Sequence, residues 1–125
     1  MQGDQLVLDD ICKIRWTAQY KLLLILPKGH YHNVDDLDEI TANEIMKASR
    51  LLASLLNSHF QPDGVTILQN NGKFNDLNHY HMHIFPRYES DGFAWVEPSD
   101  STNAKGRLKE TTTKLVELIN QQSLR

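Results

Sequence analysis

Short apolar segments separated by polar residues fill the first quarter of the chain, and they predict strands. Three segments have the length and composition of strands: "QLVLDD" (5–10), "ICKIRWT" (11–17) and "YKLLLILP" (20–27). The last contains an unbroken apolar run that Pro27 closes, a pattern typical of a strand buried on both faces. The chain is therefore expected to begin with a sheet.

An apolar period close to 3.6 residues then predicts the first long helix. Apolar residues recur on one helical face at Ile45, Ala48, Leu52, Leu55 and Leu56. Thr41 and Glu44 have the spacing of a capping box, so the helix is expected to begin with Thr41 as its N-cap and to run to about Phe60. The turn residues "QPDG" (61–64) predict its end.

Two more strands and a second helix are predicted after this helix. The strands are "GVTILQN" (64–70) and "NHYHMHIFPRY" (78–88), expected to pair in antiparallel fashion across a polar connection with an Asn-Gly turn signal. Residues 89–103 have the composition of a loop, and the segment 104–122 predicts an amphipathic helix.

The second of these strands carries half of the chain's six histidines. Three histidines alternate with three apolar residues: His79, His81 and His83 with Tyr80, Met82 and Ile84. Because side chains alternate between the faces of a strand, the imidazoles are expected on one face and the apolar residues on the other. The apolar set would pack under the helices while the imidazoles line an exposed surface or cleft. Histidine is scarce, so three on one face indicate a function.

Two chemistries fit such an array, metal binding and nucleophilic catalysis. The Cα atoms of His79 and His83 should lie roughly 13 Å apart in a strand, so convergence of all three rings on one ion would bend it badly. Two of the rings could bind a metal with help from His30 or His32. As a nucleophile, the central imidazole can attack phosphorus while its neighbours hold its tautomer and supply protons. Crowding also penalises double protonation, which keeps the nucleophile neutral near pH 7.

Composition and net charge limit the binding partners that are expected for this protein. A length of 125 residues suits one domain, and 40% hydrophobic with 23% charged residues is ordinary for a globular protein. The net charge of −3 gives no basic field, so neither a nucleic acid polymer nor a membrane is expected as a partner. Cys12 is the single cysteine, which excludes an internal disulfide and a multi-cysteine zinc site. Without a signal-peptide pattern or a bilayer-length apolar run, a cytoplasmic location is expected.

The segment "HYHMHIF" (79–85) resembles the signature of the histidine triad (HIT) family, in which apolar residues follow each of three histidines. The "PR" that comes next and "ILPKGH" (25–30) are also similar to segments of family members, and the likeness covers residues 23–88. The resemblance implies an α+β fold with an antiparallel sheet of about five strands and two main helices. It also implies a single domain over residues 1–125 and a homodimer.

The same resemblance implies hydrolysis or transfer of nucleotidyl groups, with nucleoside phosphoramidates or dinucleoside polyphosphates as substrates and no metal or other cofactor. By position, His81 would attack the α-phosphorus and form a nucleotidyl-histidine that water resolves. His83 would contact the phosphoryl group and assist the transfer, and His79 would orient the network. Asn70 and Asn75 would bind phosphate.

Some positions depart from the family's pattern. Asp76 stands where many members have serine or threonine, and its charge would repel phosphate unless it points away. Tyr20-Lys21-Leu22 stands where many members have Gly-His. Two alternatives to this enzymatic function stay open: a nucleotide-binding module with little turnover, and a histidine-rich metal site.

Overall fold

The computed structural model describes residues 5–7, 11–17, 22–99 and 103–122. Tyr20 and Lys21, where the family pattern is absent, lie outside the described residues. Contacts along the chain divide it into two compact units, 1–92 and 93–125, and each is considered by itself. The single domain over residues 1–125 stays a prediction.

The first unit combines an antiparallel sheet with one long helix. Its elements are β1 (Gln5–Val7), β2 (Cys12–Thr17), β3 (Leu22–Pro27), α1 (Glu39–Phe60), β4 (Gly64–Leu68) and β5 (Met82–Arg87). The strand order is β1-β2-β3-β5-β4, and each neighbouring pair is antiparallel. Within the described residues, this confirms the predicted α+β fold and the sheet of about five strands.

The second unit contains the other main helix. A single turn of 3-10 helix at Lys105–Arg107 leads directly into α2 (Leu108–Gln122). The predicted segment 104–122 therefore holds both elements. No helix in the part of the chain that the structure describes is long and apolar enough to cross a membrane.

The core lies between α1 and one face of the sheet. Its buried members are Cys12, Ile14, Leu23, Ile25, Ile45, Ala48, Leu52, Leu56, Tyr80, Met82 and Ile84. Leu23 pairs with Ile84 and Ile25 pairs with Met82 across β3 and β5, so both strands present these side chains to α1. The prediction that the apolar residues of the histidine segment pack under a helix is confirmed.

The opposite face of the sheet carries His83. In the strand register His83 lies between Leu24 of β3 and Leu68 of β4, and directly opposed residues share a face. Its side chain therefore lies on the face of the sheet away from α1.

The first helix begins earlier than its capping-box pattern predicts, so the prediction of Thr41 as the N-cap is wrong. Asp38 is the N-cap, and its Oδ1 accepts a hydrogen bond from the Thr41 N–H at 2.7 Å. Its Oδ2 accepts a hydrogen bond from the Tyr31 hydroxyl, also at 2.7 Å. This contact comes from a residue seven positions upstream, and the local pattern around Thr41 contains no sign of it. The predicted helix end at Phe60 is confirmed.

Candidate active site

The three histidines straddle the beginning of β5. The segment predicted as a strand over 78–88 is one only from Met82 to Arg87, so His79 and His81 lie in the chain that leads into it. Asn78 has a φ of 55°, a left-handed conformation that asparagine tolerates well. The Tyr80 N–H donates to the Tyr31 carbonyl at 2.7 Å. The loop after β3, and not β4, therefore pairs with the chain at this point.

Backbone carbonyls hold two of the rings. Nε2 of His79 donates to the Pro27 carbonyl at 3.1 Å, and Nδ1 of His81 donates to the His79 carbonyl at 3.0 Å. A carbonyl oxygen can only accept, so each of these ring nitrogens carries the hydrogen. In neutral His81 the lone pair is consequently on Nε2, which is the nitrogen that attack on an electrophile requires.

The central ring is buried beside its neighbour. His81 is 2% exposed, and its ring centroid lies 4.8 Å from that of His83. Burial lowers the pKa of His83, the nearby His81 lowers it further, and the Asp76 carboxylate acts in the opposite direction. His83 is therefore mainly the neutral imidazole at pH 7, which can donate one hydrogen bond and accept another. On the other side of the site, the ring of His30 lies 5.9 Å from that of His79.

A carboxylate faces the free nitrogen of the central histidine. Oδ1 of Asp76 lies 3.8 Å from Nε2 of His81, and the Asp76 side chain is 87% exposed. The sequence leaves the direction of Asp76 open, and in the structure its carboxylate points at Nε2 of His81. This orientation depends on the turn that connects residues 75–79, which no local pattern in the sequence reveals.

The amide of Asn75 ties this turn to the rest of the site. Its Nδ2 donates to the carbonyls of His32 at 2.9 Å and His79 at 3.3 Å, and its Oδ1 accepts from the Leu77 N–H at 3.1 Å. The side chain is buried, and both of its N–H groups are used inside the protein. Contact between Asn75 and a phosphate stays a prediction. Asn70 is exposed and lies two residues beyond β4.

Two further asparagines join the loops on either side of the site. The Val34 N–H donates to Oδ1 of Asn71 at 2.7 Å, and the Gly72 N–H donates to Oδ1 of Asn33 at 2.9 Å. We call this reciprocal pair of hydrogen bonds the asparagine clasp. No local pattern in the sequence reveals it, because Asn-Gly is visible as a turn signal while a partner nearly forty positions away is not.

A metal centre receives no support from the same geometry. Within the described ranges, no group of three or more His, Cys, Asp or Glu side chains is arranged to hold a metal ion. The ring of His30 lies near that of His79. The contact of His32 with Asn75 is made by the backbone carbonyl of His32 and not by its ring. The described residues therefore contain no cluster that matches a metal site built from two triad rings with His30 or His32.

Comparison with known proteins identifies the family. Residues 16–90 match the HIT domain family. The chain is 38% identical over 76 residues to Protein hit of Bacillus subtilis, a match covering 58% of this chain and 52% of that protein. It is 30% identical over 71 residues to a bis(5'-adenosyl)-triphosphatase of Dictyostelium discoideum, covering 55% and 48%. Since the family match extends over more than half of the chain, this protein belongs to the HIT domain family.

Solved structures agree with this assignment. The crystal structure of a HIT family member from Bacillus subtilis superposes with a TM-score of 0.77 at 27% identity, covering 94% of this chain and 88% of that one. The chain spans about half the length of the curated relatives that it matches. The fold of the chain is therefore that of the family.

Proposed function

We propose that this protein cleaves nucleotide conjugates at the α-phosphate through a nucleotidyl-histidine formed on His81. The observation that carries the proposal is the hydrogen bond from Nδ1 of His81 to the His79 carbonyl. This bond fixes the ring and leaves the lone pair on Nε2, on the side of the ring that faces the exposed Asp76.

The reaction would run as two displacements. In the first, Nε2 of His81 bonds to the α-phosphorus, and the bond to the leaving group breaks with its electron pair going to the leaving group. In the second, water attacks the phosphorus, the Nε2–P bond breaks, and the electron pair returns to the imidazole. The protons of the water pass to solvent and phosphate. The name of the Dictyostelium relative, a bis(5'-adenosyl)-triphosphatase, supports substrates of this chemical class.

The neighbouring residues would divide the remaining tasks. His83, mainly neutral and half-buried beside His81, would donate to a phosphoryl oxygen and assist the transfer. His79 would orient His81 through its carbonyl, itself fixed by the bond from its ring to Pro27. Asn70 and the backbone N–H groups near it would bind phosphate. Asn75 donates to the carbonyls of His32 and His79, so binding of a phosphate by Asn75 would require one of these hydrogen bonds to open.

The test compares wild type with His81→Gln, which keeps a polar side chain of similar size. Both proteins are incubated with adenosine 5'-phosphoramidate and with diadenosine triphosphate, and AMP release is followed. We expect His81→Gln to lose at least roughly a thousandfold in kcat, because no nucleophile remains. Denaturing mass spectrometry of the wild type during turnover should show one added nucleotidyl group. The control is His59→Ala, which removes an exposed histidine at the end of α1.

The alternative is a nucleotide-binding module with little turnover. It predicts that wild type binds AMP while releasing no more product than His81→Gln, and that no covalent adduct forms. That result would rule out the proposed reaction and leave nucleotide binding as the function. The homodimer, the cytoplasmic location and the absence of a nucleic-acid or membrane partner stay predictions.

A further inference from the structure

We propose that Asp76 determines which leaving group this site accepts. The carboxylate favours nucleoside phosphoramidates, whose leaving group is an amine, over dinucleoside polyphosphates, whose leaving group is an anionic nucleotide. The inference rests on the proposed function and names the substrate class of the same site.

The position of the carboxylate relative to the nucleophile is the first step. Oδ1 of Asp76 lies 3.8 Å from Nε2 of His81, the atom to which the α-phosphorus becomes bonded. A leaving group on that phosphorus departs opposite Nε2, and its charge therefore develops within the field of the carboxylate. The backbone next to Asp76 is held in place, because the Asn75 side chain is tied to the carbonyls of His32 and His79. Asp76 thus places a negative charge close to the reacting atoms.

The two substrate classes place opposite charges at this point. With a phosphoramidate the P–N bond breaks, and the nitrogen keeps the electron pair, takes up protons from solvent and departs as an ammonium ion at neutral pH. With a diadenosine polyphosphate the P–O bond breaks, and the oxygen keeps the electron pair and departs as part of an anionic nucleotide without a proton. The nucleotidyl-histidine left on His81 is the same in both cases. Asp76 consequently acts on the first displacement and discriminates through the leaving group alone.

Electrostatics sets the size of the effect. Two unit charges about 4 Å apart in bulk water change an equilibrium by roughly fivefold, and the high exposure of Asp76 makes the value for water the appropriate one. A polyphosphate leaving group carries several negative charges and an ammonium ion carries one positive charge. The leaving group departs on the side of the phosphorus opposite Nε2, so it lies farther from the carboxylate than Nε2 does. At about 6 Å each response is roughly threefold, and the two opposite responses multiply to a selectivity of about tenfold, which salt should weaken because the carboxylate is exposed.

The experiment measures kcat/KM for adenosine 5'-phosphoramidate and for diadenosine triphosphate and takes their ratio. Asp76→Asn keeps the shape of the side chain and removes its charge, and Asp76→Ser gives a second neutral side chain. We expect the ratio of phosphoramidate to triphosphate turnover to fall by about tenfold in both variants, chiefly because the triphosphate is cleaved faster. In wild type the ratio should also fall as salt rises to about 0.5 M, and in the variants it should not.

Glu89→Gln is the matched control. It makes the same change in net charge at an exposed residue beyond the far end of β5, and it should leave the ratio unchanged. An unchanged ratio in both Asp76 variants, or a parallel loss of both activities, overturns the selectivity while leaving the histidine chemistry intact. If wild type cleaves neither substrate, the proposed function itself fails, and the selectivity fails with it.

Discussion

At the scale of single residues, backbone oxygens organise this site as much as side chains do. The carbonyls of Pro27 and His79 each accept one imidazole N–H, and together they determine the tautomer of two histidines. Because a carbonyl cannot donate, this arrangement resists exchange of the proton between ring nitrogens. The lone pair of neutral His81 is thereby held on Nε2.

The half-buried His83 should make the folded state sensitive to acid. Its pKa is lowered in the folded protein, chiefly by burial, so below the ordinary histidine value of about 6.5 the unfolded chain binds a proton that the folded chain does not. Stability should therefore fall as the pH drops through about 6 and level off below the folded-state pKa. Urea denaturation at pH 7.5, 6.0 and 5.0 should show a smaller loss for His83→Gln than for wild type. Equal losses would contradict this prediction.

The sequence predicts which residue types form this site better than it predicts which atoms each side chain contacts. Alternation alone predicts that Tyr80, Met82 and Ile84 lie in the core, and the structure agrees. Tyr80 nevertheless lies before β5, and His81, expected on an exposed surface or cleft, is itself buried. The direction of Asp76 and the acceptor for the His79 ring depend on turns and on chain segments far apart in sequence. Neither has a local signal in the sequence, so the sequence alone predicts neither the direction of Asp76 nor the acceptor for the His79 ring.

At the scale of elements, the site is assembled where two loops meet the beginning of β5. The asparagine clasp joins the residues after β3 to those after β4, through Asn33 and Asn71. The Tyr80 N–H pairs with the Tyr31 carbonyl close to this junction. These contacts explain why β5 begins at Met82: the preceding backbone pairs with a loop, so the ladder with β4 starts later than the residue pattern predicts.

Breaking the clasp should affect activity and stability together. We expect Asn33→Ala and Asn71→Ala each to lower the free energy of unfolding by about 1 kcal/mol and to reduce kcat/KM, because each removes an acceptor for a backbone N–H. The double variant should lose less than the sum, since one broken bond already releases the two loops. Denaturant titration with parallel kinetics measures both effects. Asn43→Ala, an exposed position on α1, is the control, and strictly additive losses would show that the two bonds act separately.

The boundaries of the elements show where local patterns suffice. The end of α1 is encoded by "QPDG", and the structure confirms it, with Gln61 in the left-handed conformation just after the last helical residue. The beginning of α1 is set by Asp38, whose carboxylate contacts both the helix and the Tyr31 hydroxyl. A tertiary contact therefore reinforces this cap, and a capping-box pattern at Thr41 cannot reveal it.

At the scale of the whole molecule, similarity of structure extends further than similarity of sequence. The family match covers residues 16–90, whereas the superposition on the Bacillus subtilis HIT protein covers 94% of the chain. The histidine signature thus identifies the family, and the fold is shared beyond the segment in which the family match lies. The second helix lies beyond Tyr88, where the resemblance ends, and its amphipathic pattern alone predicts it.

The first unit also presents a surface suited to a second copy of the chain. β4 lies at one edge of the described sheet and carries Ile67 with 47% exposure. Leu51 and Leu55 on α1 are 48% and 53% exposed, one helical turn apart. An edge strand and exposed apolar side chains are each common routes to pairing between chains. These residues support the homodimer that the family resemblance implies.

Light scattering after size-exclusion chromatography tests this dimer directly. Wild type should have twice the chain mass of 14.4 kDa, and Ile67→Glu and Leu51→Glu should each shift the protein to a single chain, because a carboxylate buried without a partner is costly. Met46→Glu is the control, since Met46 is exposed on α1 but lies about 140° around the helix from Leu51. A monomeric wild type would refute the homodimer, and a dimer that survives both charged variants would place its interface elsewhere.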